Sequence, residues 1–235
     1  MDVRGSVKRH KVRWALGTVA VVAAALVAGP YAYIHFIQGP APAPLALTEA
    51  SAEDIAATAP ADLDGTWTVG AGSQAGYRVD EKIAGQANTA VGRTSAVTGE
   101  VRIAAGAATS ATFEVDLTRV ASDEDARDSM FQDTIMDTKT FPTASFTLTQ
   151  PIDLTSAAGG GKAVELTVVG DLDLHGTTEK VRFTLEAQRT GERLEVTGQV
   201  PIVFAEHGVT APSFGAATSV EDHGVIEFLL TLTKA

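Results

Sequence analysis

The chain has no cysteine. Disulfides, thiolate metal sites, a cysteine nucleophile and lipid attachment through cysteine are therefore excluded. Histidine is also scarce, with five in 235 residues: His10, His35, His175, His207 and His223. The last three have no partner histidine at i, i+2 or i+4, so they do not read as a zinc site. No G-x-S-x-G occurs, which removes the usual strand-turn-helix serine nucleophile. The glycines of Gly70–Gly76 sit one residue too far apart for a dinucleotide fingerprint, and no helical pattern follows them. Gly159-Gly160-Gly161-Lys162 lacks the first glycine and the hydroxyl of a phosphate loop, and reads as a turn. Nowhere do an acid, a base and a nucleophile gather. The expectation is a protein that is not an enzyme and carries neither metal nor cofactor.

Positive charge is scarce beyond the N-terminus. Residues 1–13 hold five basic side chains against Asp2, whereas the rest of the chain has 13 basic and 28 acidic residues, for an overall net charge of −11. An acidic body repels phosphate and releases no counterions from it, so nucleic acid is excluded as a partner.

One long apolar run is present. Ala15 to Ile37 contains no charged residue apart from the titratable His35. As a helix it is about 35 Å long at 1.5 Å per residue, enough for the ~30 Å hydrocarbon core of a bilayer. The basic residues lie before it, which places the N-terminus in the cytoplasm and the body outside the cell membrane. Trp14 at one end and Tyr31 and Tyr33 at the other suit the two interfaces. A cleaved signal peptide, and hence secretion, is the competing reading. Its candidate sites, after Gly29 and after Ala43, are both followed by proline (Pro30, Pro44). The reading taken is an uncleaved single-pass anchor: a basic arm over 1–14, a transmembrane helix over 15–37, a linker over 38–62 and a body over 63–235. The linker, with Pro40, Pro42, Pro44 and Pro60, reads as a semi-rigid spacer. A short helix over Glu49–Ala57 is the variant of that reading.

After Leu63 hydrophobicity alternates with period two. Val164, Leu166, Val168, Gly170, Leu172 and Leu174 share one parity, with mostly polar residues on the other. The pattern recurs at Val181–Ala187, Leu194–Val203, Phe113–Leu117 and Ile226–Leu232. Such runs turn one face to a core and the other to water, as antiparallel strands do. Strands are expected at 66–69, 75–82, 96–104, 112–118, 144–149, 164–174, 181–187, 194–203 and 223–233. Their length suits the tilted staves of a closed barrel. One stretch breaks the period. Ser122 reads as a cap for amides three residues on, Asp123-Glu124-Asp125 as an acidic first turn, and Ala126, Met130, Phe131 and Ile135 recur at helical spacing before Pro142. The body is therefore all-β, an antiparallel barrel with one inserted helix.

Three stretches give this body a family resemblance. They are Arg127-Asp128 with Phe141-Pro142-Thr143-Ala144-Ser145-Phe146, the run Gly170–Val181 containing Leu172-Asp173-Leu174-His175-Gly176, and Phe214-Gly215 with Val220-Glu221-Asp222. With Trp67 and Val97-Thr98-Gly99 they resemble the YceI-like family of extracytoplasmic lipid-binding proteins. The sequence departs from that pattern at Gln86–Ser95, where the family's F-x-V-x-H histidine is missing. The resemblance implies a lipocalin-like closed barrel around a long isoprenoid or other amphiphile, without catalysis. Candidate ligand contacts are the inward residues Phe113, Val115, Leu166, Val168, Phe183, Leu185, Phe228 and Leu230. The helix adds Met130 and Phe131, with Arg127 and Asp128 either gripping a polar head or tying the helix to the rim. The alternative is an envelope structural or interaction protein whose barrel is filled by its own side chains. A homodimer is left open.

Overall fold

Alternation becomes sheet over most of the body. The computed structural model describes residues 40–51, 62–83, 85–157, 160–212 and 218–235. The apolar run at 15–37 lies outside the described residues, as do Phe214-Gly215 and most of the helix considered at Glu49–Ala57. Glu49, Ala50 and Ser51 adopt no regular structure. Among the described residues no helix is long and apolar enough to cross a membrane.

Among the described residues twelve strands follow in chain order: β1 Gly65–Val69, β2 Gln74–Ile83, β3 Gln86–Thr94, β4 Val97–Ala104, β5 Ala107–Asp116, β6 Thr143–Leu148, β7 Ile152–Asp153, β8 Val164–Leu174, β9 Thr177–Thr190, β10 Arg193–Val203, β11 Thr218–Val220 and β12 His223–Lys234. The path β1-β4-β5-β6-β8-β9-β10-β12 closes on itself, because β12 also pairs with β1 from Trp67↔Lys234 to Val69↔Leu232. The hairpin β2–β3 (Ala75↔Thr94 to Ile83↔Gln86) prolongs the pair β1–β4 (Gly65↔Ile103 to Thr68↔Glu100). Strands β1 and β2 thus form one long stave, broken at Gly70–Ser73, and β3 and β4 its neighbour, broken at Ser95–Ala96. Eight staves close an antiparallel barrel, a geometry that removes the free edges of an open sheet.

Strand β3 is the longest departure from the period-two reading, which left Gln86–Ser95 unassigned along with the short β7 and β11. Ala90, Val91 and Gly92 are consecutive and all buried, so no alternation marks the strand. Its inner edge takes β2. On its outer edge Arg93 exchanges both backbone hydrogen bonds with Ala121, at 2.8 and 3.0 Å.

Two inward glycines make room for aromatic rings. A Cβ at Gly170 would lie 2.2 Å from the Phe146 ring, and one at Gly198 would lie 2.8 Å from the Phe228 ring. Phe183 joins these two rings edge-on, at centroid distances of 5.7 and 6.0 Å. A belt of three phenylalanines therefore crosses the barrel where two strands have no side chain.

The helix α1, Asp125–Met130, continues as a π-helical turn, Phe131–Ile135. Its N-terminal arrangement differs from the expected cap. Ser122 Oγ accepts from the amide of Glu124, two residues on, at 3.2 Å. Asp128 then folds back to accept from Ser122 N at 2.8 Å and Ser122 Oγ at 2.6 Å. Arg127 pairs with Asp123 on its own segment and with Glu81 of β2, 3.6 Å away, which ties the helix to the barrel rim. At the opposite end, Trp67 Nε1 donates to Leu63 O at 2.8 Å, and the Asp64 carboxylate accepts from the amides of Ala105 and Gly106 in the β4–β5 turn.

The Pro- and Ala-rich segment before the barrel differs from a free spacer. Residues Pro42 to Thr48 are hydrogen-bonded to its outer wall, through Arg78, Arg93, Thr197 and Glu195.

Candidate ligand chamber

Inside the barrel the inward side chains pack against one another without filling the space. They leave an upper chamber of about 410 Å³ beneath the helix and a lower one of about 150 Å³ toward the β4–β5 turn. Ala75, Val115, Ala144 and Ile226 border both and mark the neck, the level at which the two adjoin. The larger volume falls within the ~300–1,000 Å³ typical of small-molecule sites. The smaller one matches a ~150 Å³ apolar cavity of the kind that stays dry and admits a benzene-sized molecule.

The candidate residues separate cleanly between the two. Phe113, Leu166, Val168, Phe183 and Leu185 line the lower chamber together with Phe228 and Leu230. Arg127, Met130 and Phe131 line the upper one, and Val115 lies at the neck. The lower wall is apolar apart from Ser145. It offers a guest dispersion contacts and exclusion of water, with no chemistry. Asp128 is not in either wall, because it is engaged by Ser122.

Apart from Ser145, the polar groups belong to the upper chamber, where Tyr77, Glu81, Glu124, Arg127 and His207 reach its wall. The Tyr77 ring stacks on Phe131 at 5.0 Å between centroids, 14° from parallel. Burial pushes its phenol well above its ordinary value, with Arg127 opposing the shift. Because the folded state keeps this proton longer than the unfolded chain does, stability is unaffected below about pH 10 and falls as pH rises through and beyond that value. Alkaline titration of tyrosine absorbance should therefore show Tyr77 failing to ionise until the barrel unfolds; a Tyr77→Phe variant that loses part of the absorbance change near pH 10, ahead of unfolding, sinks this expectation.

Several wall residues lay outside the sequence expectation. Tyr77, Val79, Glu81 and Ile83 share the parity of Ala75 along β2, so the period-two signal was present. The interspersed charges of this strand weakened it. Phe204, His207 and Val209 come from the turn after β10, which has no period to read. His207 is 2% exposed, and its carbonyl accepts from His175 Nδ1 at 3.3 Å. His175, at φ 54°, forms the β8–β9 turn with Gly176, and its ring lies 4.4 Å from Phe141. The Phe141-Pro142 and Leu174-His175-Gly176 motifs, far apart in sequence, thus meet at the mouth as structural supports. Beside them Glu221, Asp222 and His223 bring donor atoms within 4.8 Å of one another on the exposed rim. Asp222 there already accepts from His223.

Comparison with known proteins gives this geometry a context. A family model described as the YceI-like domain matches residues 67–232. A polyisoprenoid binding domain from Saccharophagus degradans implicated in plant cell wall breakdown has a similar structure. Its TM-score is 0.58 at 21% identity, over 72% of this chain and 98% of that one. BcnA of Burkholderia cenocepacia is similar at a TM-score of 0.52 and 21% identity, over 66% and 95% of the two chains. No curated protein matches the chain.

Proposed function

Because the chain belongs to the YceI-like family, we propose that its barrel is a non-catalytic holder of a polyisoprenoid or related long-chain amphiphile. The observation that carries this reading is the pair of adjoining chambers: one almost wholly apolar, the other holding nearly all the polar groups. An isoprenoid tail fits the first, where each methylene removed from water contributes about 0.8 kcal/mol. A polar head fits the second, near Tyr77 and Arg127, and any further length of chain emerges at the mouth. The binding described for the Saccharophagus domain supports the same ligand class. The apolar run at 15–37 supports the rest of the reading: an uncleaved anchor in the cell membrane with the barrel on the outer side.

Native mass spectrometry of the full chain, extracted in mild detergent, tests the ligand. The expected result is a co-purifying hydrophobic molecule, or stoichiometric uptake of added geranylgeraniol by the empty protein. Reproducibly empty protein that takes up no prenyl alcohol overturns the reading. Intact mass of the membrane-extracted chain tests the anchor, which requires residues 1–37 to be retained.

A further inference from the structure

The segment Pro42–Thr48 crosses the outer wall as a strap. Arg78 Nη2 donates to the Pro42 carbonyl at 2.6 Å and Arg93 Nη2 to the Ala43 carbonyl at 2.5 Å. Thr197 Oγ1 donates to the Leu45 carbonyl at 3.0 Å, and the Thr48 amide donates to the Glu195 carboxylate at 3.1 Å. Beneath it Glu227 is fully buried, with Arg78 3.3 Å and Arg93 2.7 Å from its carboxylate oxygens. Its neighbours in β12, Ile226 and Phe228, face the chambers, so Glu227 belongs to the outer face. Outward Glu195 and Thr197 are likewise buried. Polar side chains on the outside of a barrel stay dry only under a cover, and the strap supplies it.

The strap has a direction. Its contacts descend from the level of Glu227 to Thr197, which is opposite Leu229, and then to Glu195, which is opposite Thr231. That course runs away from the mouth, where β12 begins at His223. Extended backwards from Pro42, the line of these contacts points to the mouth. Glu227 lies four residues below His223, about 13 Å along the strand. Ile37, the end of the apolar run, is five residues before Pro42 and reaches no more than about 18 Å from it.

We propose that the strap sets the barrel mouth-down on the membrane, so that the upper chamber opens at the lipid surface and exchanges its guest directly with the bilayer. This rests on the anchor reading given above. The rim itself carries exposed Asp80, Glu221 and Asp222 against Lys82, Arg119 and His223. Such a rim has no net attraction for anionic lipid, so the orientation comes from the strap.

The absence of cysteine makes the test direct. Lys82→Cys, at the exposed tip of β2, and Glu192→Cys, in the exposed β9–β10 turn at the other end, are each labelled with a fluorophore. The labelled full-length protein is reconstituted into phosphatidylcholine vesicles that carry nitroxide-headgroup lipid. The expected result is quenching at position 82 at least twofold stronger than at 192. Inserting about ten Gly/Ser residues between Gln38 and Gly39, a reach of roughly 30 Å, leaves the strap untouched and should abolish the difference. Equal or reversed quenching in protein that floats with the vesicles overturns the orientation while the anchor stands. Protein that does not float overturns both. A difference that survives the insertion overturns the strap as its cause.

Discussion

Ala144→Phe is expected to weaken binding of geranylgeraniol by about 100- to 1,000-fold while leaving geraniol within about threefold. Ala144 is an inward residue of β6, opposite Val115 in register, and both border the two chambers. A phenyl ring there closes the neck. A long tail then loses the lower chamber, whose volume suits about five carbons by comparison with a benzene-sized cavity. At about 0.8 kcal/mol for each carbon withdrawn from water the loss approaches 4 kcal/mol, and every 1.4 kcal/mol is a factor of ten. Geraniol is short enough to remain in the upper chamber. Overpacking adds a destabilisation of about 1–3 kcal/mol, so urea unfolding accompanies the titrations, and Ala144→Leu provides a graded, milder obstruction. Undiminished affinity for geranylgeraniol in a folded Ala144→Phe protein would show that the tail does not pass the neck.

The second large effect lies on the outer wall. Arg93→Ala should destabilise the folded protein by about 3–5 kcal/mol, the usual consequence of stripping one partner from a buried ion pair. Glu227 is 0% exposed and would retain only the longer contact to Arg78, at 3.3 Å. The same substitution removes the hydrogen bond that holds Ala43. Glu227→Gln should be milder. The side chains of Arg78 and Arg93 keep 17% and 23% exposure and recover hydration when the carboxylate is neutralised. Denaturant unfolding of the two variants decides the point. An Arg93→Ala protein with the parent midpoint would mean that Glu227 is reached by water and that the strap does not seal it.

Much of the barrel was legible because a half-buried strand writes its two faces into alternate residues. Val164–Leu174 coincides with β8 to the residue, and Leu194–Val203 differs from β10 only at its first position. The eight inward residues picked by parity all lie in chamber walls for the same reason. The helix was visible in the change of period from two to helical spacing, and the family in motifs such as Leu174-His175-Gly176 that build turns and their supports. Strand β3 was not visible, because its buried Ala90, Val91 and Gly92 are consecutive and its identity as a strand comes from pairing with β2.

Two matters belonged to the tertiary structure alone. Whether the inward side chains plug the barrel or line a hollow depends on how volumes from eight staves add up in space. Phe146 and Phe228 fold over Gly170 and Gly198, and the small Ala75 and Ala144 stand where the two chambers adjoin. The strap was equally hidden. Its bonds to Arg78, Arg93 and Thr197 end on the carbonyls of Pro42, Ala43 and Leu45. Every residue possesses that group, so a Pro- and Ala-rich sequence can be bound tightly without a side chain to announce it.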